Sequence, residues 1–242
     1  MQQPAAPVTQ APRTNRLLAA LPPQEMKAVR AFLEPVPLPF KHVLFEQNQP
    51  QTHVWFIHRG VASLVREMAD GTIVELATVG PEGLVGLPLV LGGTSVAARS
   101  IIQVAGEGAR VEAEDFRELM GRCPVLHGLM LRYALAFMNQ IAQSAACNRA
   151  HSIEERAARW LLMTHDRVHE ASFPLTQEFL GQMLGVRRPT VSLAAGMLAK
   201  AGLIHYVRGQ VTVLDRAGLE GAVCECYRAI RDEYERLVGA PG

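Results

Sequence analysis

The sequence predicts an α+β chain: an N-terminal antiparallel β-barrel or jelly roll, then a long helix, then a C-terminal winged helix-turn-helix. Three observations carry this. Between Val36 and Val111 the chain breaks into short alternating or apolar runs split by Gly, Pro and Asp, the texture of a small barrel. From Val125 to about Cys147 it is strongly apolar with a helical period. From Leu175 to Leu203 two helix-patterned stretches flank Gly185 and the triplet Arg187-Arg188-Pro189.

Taken in order, residues 1–16 are rich in Pro, Gln and Ala with no apolar core, and read as a disordered arm and not as a signal peptide. A barrel domain is expected over 17–122. It opens with a helical segment (residues 17–34) in which Pro22 and Pro23 fit a helix start. Asp70-Gly71 between two strand-like runs is a hairpin signal. A Gly-rich segment from Gly80 to Ser95 interrupts the strands.

Residues 123–149 form a helix with two apolar stripes. Leu126, Met130, Tyr133, Phe137 and Ile141 make one; Leu131, Leu135, Met138, Ala142 and Ala145 make the other. Such a helix must be covered twice. The barrel supplies one cover, and a second copy of the same helix supplies the other, which predicts a homodimer. A hinge follows at Asn148–Ser152, and a second domain spans 150–216. Its hairpin, Leu203–Leu214, turns at Arg208-Gly209. Residues 217–242 are expected as one helical extension capped by Asp215.

Composition limits the function. Apolar residues make up 49%, enough for a packed core, and no run is long enough to span a bilayer. A cytoplasmic protein with no membrane partner is expected. The formal net charge of +1 names no partner, so any electrostatic signal is local. No P-loop, dinucleotide fingerprint, nucleophile elbow or zinc-protease motif occurs, so no enzyme is expected.

The local signal lies in the helix-turn-helix. Thr176 fits an N-cap with Glu178 in the first turn, Gly185 ends the first helix, and Pro189 restarts the second. In the second helix Val191, Ala194, Ala195 and Leu198 share one face. Ser192, Leu193, Gly196, Met197 and Lys200 share the other. From Phe179 to Leu214 there is no Asp or Glu, yet the window holds Arg187, Arg188, Lys200 and Arg208. Two arginines at a helix N-terminus oppose the helix dipole, a cost that favours a functional reason. In the helix-turn-helix plan that end enters the major groove of double-stranded DNA, where arginine pairs with guanine O6 and N7 or clamps a phosphate. Gly196 permits close approach, and Leu193 or Met197 can touch a thymine methyl. Arg208 at the wing tip, Thr176, Thr190 and His205 are expected at the backbone. The alternative is an effector-binding module whose helical domain serves a protein partner.

The stretches RAARWLLMTHDRV (Arg156–Val168), LTQEFLGQMLGVRRPTVS and AGLIHYVRGQVTVLD resemble successive elements of the Crp/Fnr transcription-regulator superfamily. The barrel and long helix resemble its cyclic-nucleotide-binding-like sensor and dimer helix. The resemblance covers about Leu17 to Asp215. It implies a homodimer on a roughly palindromic site, an effector in the barrel coupled to the reading heads, and RNA polymerase as a partner. It places Arg188 at the family arginine that opens the recognition helix. Pro189 and Leu193 stand where many members carry a glutamate and a second arginine, so a different operator is implied.

The same resemblance implies a phosphate-binding cassette over Gly80–Ser100, with Glu82, Gly83, Gly86, Arg99 and Ser100 as the effector pocket. Arg99-Ser100 resembles the phosphate pair. Gly86, however, is followed by Leu87-Pro88 where the family carries the ribose-binding carboxylate, and Glu82 fits only with a register shift. Gly92-Gly93 also lengthens the loop. Cyclic nucleotide is therefore disfavoured and no cofactor is required. His42, His53 and His58 have no metal-ligand spacing. The four cysteines Cys123, Cys147, Cys224 and Cys226 read as reduced structural thiols, since Cys224 and Cys226 on one helix would point to different faces. No metal is expected.

Overall fold

A computed structural model describes residues 14–239. Residues 1–13 of the expected arm lie outside the described residues. The arm ends earlier than expected, because Asn15 is fully buried. Its side-chain oxygen accepts from the Leu17 and Leu18 amides and caps α1 (Arg16–Ala19). Its amide donates to Ile57 O at 2.9 Å and Gly83 O at 2.7 Å. α2 (Pro23–Arg30) begins at the proline that its missing N–H suits. The expected 17–34 helix is thus two helices, broken at the Pro pair.

Among the described residues, six strands form the barrel sheet: β1 (Glu34–Leu38), β2 (Val43–Phe45), β3 (His53–Glu67), β4 (Ile73–Val79), β5 (Leu84–Val85) and β6 (Arg99–Glu112). All pairings are antiparallel, in the order β1-β6-β3-β4, with β2 on β6 and β5 on β3. The β3–β4 hairpin turns at Asp70-Gly71. Gly71 takes φ +81°, and Asp70 accepts from the Thr72 amide. α3 (Leu87–Val90) fills the Gly-rich segment, and α4 (Ala113–Arg122) closes the barrel.

α5 (Pro124–Ala150) is the long helix. Leu126, Met130, Tyr133 and Phe137 are buried and Ile141 is half-buried. Leu131, Leu135, Met138, Ala142 and Ala145 are exposed. The hinge is narrower than expected, because α5 runs on to Ala150. Only His151, in an extended conformation, and Ser152 separate it from α6 (Ile153–Val168). Ser152 and Glu155 form a capping box.

The second domain continues with β7 (Ser172–Pro174), α7 (Gln177–Leu184), α8 (Arg188–Lys200), β8 (Ile204–Val207) and β9 (Gln210–Val213). The three strands form a small antiparallel sheet, β7-β9-β8. The single C-terminal helix expected from sequence is instead two. α9 (Arg216–Ala222) packs on α6, and α10 (Cys226–Val238) packs along α5. One straight helix cannot reach both surfaces, so the chain turns at Val223, which is extended. A continuous buried core runs from Leu17 through the barrel and α5 to Val238.

Candidate nucleic-acid interface

The helix-turn-helix is built by local chemistry. The Thr176 hydroxyl accepts from the Phe179 amide at 3.1 Å and starts α7. Gly185, at φ +65°, stops it, and the Val186 amide returns to Gly181 O. Arg187 then lies extended as the N-cap of α8, with Pro189 in its first turn. Val191, Ala194, Ala195 and Leu198 are buried, as their spacing predicts.

The opposite face of α8 is open. Arg187, Arg188, Thr190, Leu193, Gly196, Met197 and Lys200 are all exposed, with Leu193 at 65%. An aliphatic side chain that exposed covers no core and is free for a partner. Ser192 is less available than the sequence predicts. It is half-buried, and its hydroxyl donates to Gln177 Oε1 at 2.6 Å and bonds Arg188 O at 3.1 Å.

The wing comes back to the same place. Arg208 and Gly209 both take positive φ, +51° and +76°, the conformation of a two-residue hairpin loop. Arg188, Arg208, Gly209, Thr176, Gln177, Glu178 and Tyr206 line one open cleft. Two guanidiniums on its wall suit a phosphate. Tyr206 fixes the wing, donating its hydroxyl to Leu175 O at 2.9 Å. Burial pushes its phenol up to about 12, with the Arg188 charge opposing, so it stays a neutral donor. Sequence reading missed Tyr206, although its alternation with buried Ile204 marks it as facing inward. His205 is exposed on the other side.

The residues expected to form an effector pocket do not come together. Glu82 lines a cleft with Arg167, Tyr227 and Tyr234, whereas Arg99 lines a separate one with Glu46, Arg66 and Glu67. Glu82 is committed: Oε1 accepts from Arg167 Nε at 2.8 Å and from the Gly80 amide at 3.0 Å. Burial raises this carboxyl, and the Arg167 charge and hydrogen bond more than offset it, so it is held below the usual carboxylate range. A side chain on Gly83 would strike the Tyr133 ring, so Gly83 serves packing. Gly86, at φ +125°, sits against Val54 and leads into α3. Ser100 is buried in β6 opposite Leu64 and Phe45.

α6 joins the two domains through side chains that the sequence did not single out. Trp160 Nε1 donates to Glu75 Oε1 at 2.9 Å, and the Ser63 hydroxyl donates to Glu75 Oε2 at 2.8 Å. Burial pushes the Glu75 carboxyl up to about 7, against the lowering effect of those two donors and of Arg159 and Arg167. Helix α7 of the helix-turn-helix also packs against β4.

All four cysteines are free and buried, but the expected divergence of Cys224 and Cys226 is corrected. Cys224 precedes α10 and only Cys226 lies within it, so the pair does not diverge across one helix. Cys147, His151, Cys224 and Cys226 bring their ligand atoms within 4.8 Å of one another.

Comparison with known proteins places both domains. Residues 35–123 match the cyclic nucleotide-binding domain and residues 155–222 match the Crp-like helix-turn-helix domain. A Mycobacterium tuberculosis protein named CRP-like cAMP-activated global transcriptional regulator is 23% identical over 202 residues, covering 80% of this chain and 89% of its own. Among solved structures, FixK2 from Bradyrhizobium japonicum superposes with a TM-score of 0.68 at 16% identity, over 79% of this chain and 98% of its own. A Crp/Fnr-family regulator from Eubacterium rectale gives 0.67 at 15% identity, over 85% and 96%. The barrel falls in the first matched domain, the exposed basic N-terminus of α8 and the wing fall in the second, with the long helix between them, and the chain belongs to the Crp/Fnr superfamily of DNA-binding transcription regulators.

Proposed function

We propose that this regulator acts as a homodimer on a roughly two-fold site, each subunit laying α8 in the major groove. The carrying observation is the cleft shared by Arg188 at the start of α8 and Arg208 at the wing tip, where two guanidiniums outnumber the one carboxylate, Glu178. Arg187 and Arg188 read bases or clamp phosphate, Leu193 and Met197 supply apolar contact, and Lys200 and Arg208 hold the backbone. The dimer joins through the exposed stripe of α5. Its positions 131, 135, 138, 142 and 145 follow the alternating four-and-three spacing of a coiled-coil seam. RNA polymerase is the partner that family membership implies.

Cyclic nucleotide is not the effector in this reading. The M. tuberculosis relative is cAMP-activated by its name, but here Leu87 stands at the ribose-carboxylate position and Glu82 is held by Arg167. Selection from a random duplex pool, without added ligand, tests the DNA reading; an enriched two-fold site is expected. Calorimetry with cAMP should show no specific heat, and tight binding of one molecule per subunit would refute the sensor reading.

A further inference from the structure

We propose that Cys147, His151, Cys224 and Cys226 bind one thiophilic d10 divalent cation, of which Zn2+ is the representative, in a closed tetrahedral site that staples the hinge of the regulator. Three cysteines and a histidine are one of the recurring ligand sets of structural zinc.

The spacing of the ligand atoms fits a single ion. With Zn–S near 2.3 Å and Zn–N near 2.0–2.1 Å, a tetrahedron has S···S edges of about 3.8 Å and S···N edges of about 3.6 Å. Cys147 Sγ and Cys224 Sγ stand 3.6 Å apart. Cys226 Sγ and His151 Nδ1 stand 3.5 Å apart. Polynuclear iron–sulfur clusters spread their ligands over several metal atoms, farther apart than one ion does.

The surroundings are those of a metal site. Nδ1 of His151 faces the sulfurs, and Nε2 lies 3.2 Å from Glu225 Oε2. A carboxylate behind the second ring nitrogen orients a ligating histidine and raises its basicity. Gln143 Nε2 donates to Cys226 Sγ at 3.1 Å. All three cysteines are buried, Cys147 and Cys226 fully. Arg156 and Arg159 of α6 interact electrostatically with Cys147. Their charge suits three thiolates, which with a divalent ion sum to −1. On binding, the three thiols release their protons to solvent and the neutral imidazole adds as the fourth donor.

The location gives the site its role. Cys147 and His151 end α5 at the point where the chain turns into α6, while Cys224 lies in the connection from α9 to α10 and Cys226 opens α10. An ion there ties the long helix to the extension beyond the wing. It fixes the angle at which the reading head leaves the dimer helix.

The test uses the full chain purified under reducing conditions from zinc-replete medium. Elemental analysis should give about one zinc per chain. Co2+ exchanged into the site should show the intense visible bands and thiolate charge transfer of a tetrahedral ion held by three sulfurs and one nitrogen. Glu225 is mostly exposed, so Glu225→Gln should fold normally and weaken Zn2+ affinity about 10–100-fold in a chelator competition. Cys224→Ser should lose the Co2+ bands. Protein that neither retains zinc nor takes up Co2+ overturns the proposal. So does iron with inorganic sulfide, or a Cys147–Cys224 disulfide as the resting state. None of these readouts depends on DNA binding.

Discussion

Arg167 of α6 donates to Glu82 of the barrel at 2.8 Å, with both side chains about nine-tenths buried. The pair lies 85 residues apart in sequence. It bolts α6 to the barrel and keeps the Glu82 carboxylate engaged. Arg167→Ala should destabilise the protein by about 3–5 kcal/mol, because it strands a buried carboxylate. Glu82 has a depressed folded pKa, so its stabilising contribution is present above the ordinary value of 4.5 and is lost as pH falls through the folded value. Acid unfolding followed by circular dichroism should therefore show a stability loss below about pH 4.5 that Glu82→Gln removes.

Glu75 works in the opposite sense. Its folded pKa is raised from 4.5 to about 7. The contribution is full below the unfolded value and declines as pH rises towards about 7. Melting temperatures between pH 4.5 and 7 should fall with pH in the native protein. They should flatten in Glu75→Gln, which stays neutral while facing Trp160 and Ser63.

At the DNA surface, Arg188→Ala should cost ~1–3 kcal/mol of operator affinity and relax preference at one base position. Arg208→Ala should weaken all sequences alike and reduce the salt slope by about 1. Binding curves on operator and scrambled duplexes at several salt concentrations distinguish the two. No loss on any duplex from either change would remove α8 from the groove.

The exposed stripe of α5 predicts an association defect without a folding defect. Leu135 is 46% exposed in the single chain, so Leu135→Glu should leave the circular dichroism spectrum intact. Sedimentation should then show a monomer where the native chain is a dimer, with operator affinity lost. A native chain that sediments as a monomer throughout would refute the dimer.

Much of the fold is legible locally. The Thr176 cap, the Gly185 stop, the Pro189 restart and the Arg208-Gly209 turn each depend on backbone preferences within a few residues. Each appears in the structure where the sequence puts it. The periodicity of residues 125–147 likewise separates a buried stripe of α5 from an exposed one, because helical geometry alone assigns faces.

Tertiary packing decided the rest. Nothing local shows that Glu82 turns to Arg167, or that Trp160 reaches Glu75, since these contacts depend on how α6 docks on the barrel. The cysteines make the same point. Read as one helix, the C-terminal segment sends Cys224 and Cys226 apart. In the structure α9 must cover α6 and α10 must cover α5, so the chain breaks at Val223 and carries both cysteines to Cys147 and His151. Sequence by itself determined the elements and their apolar faces, which follow from short-range sterics and period. Only the tertiary structure decided which distant polar groups meet, because burial of competing faces sets where helices end and what they touch.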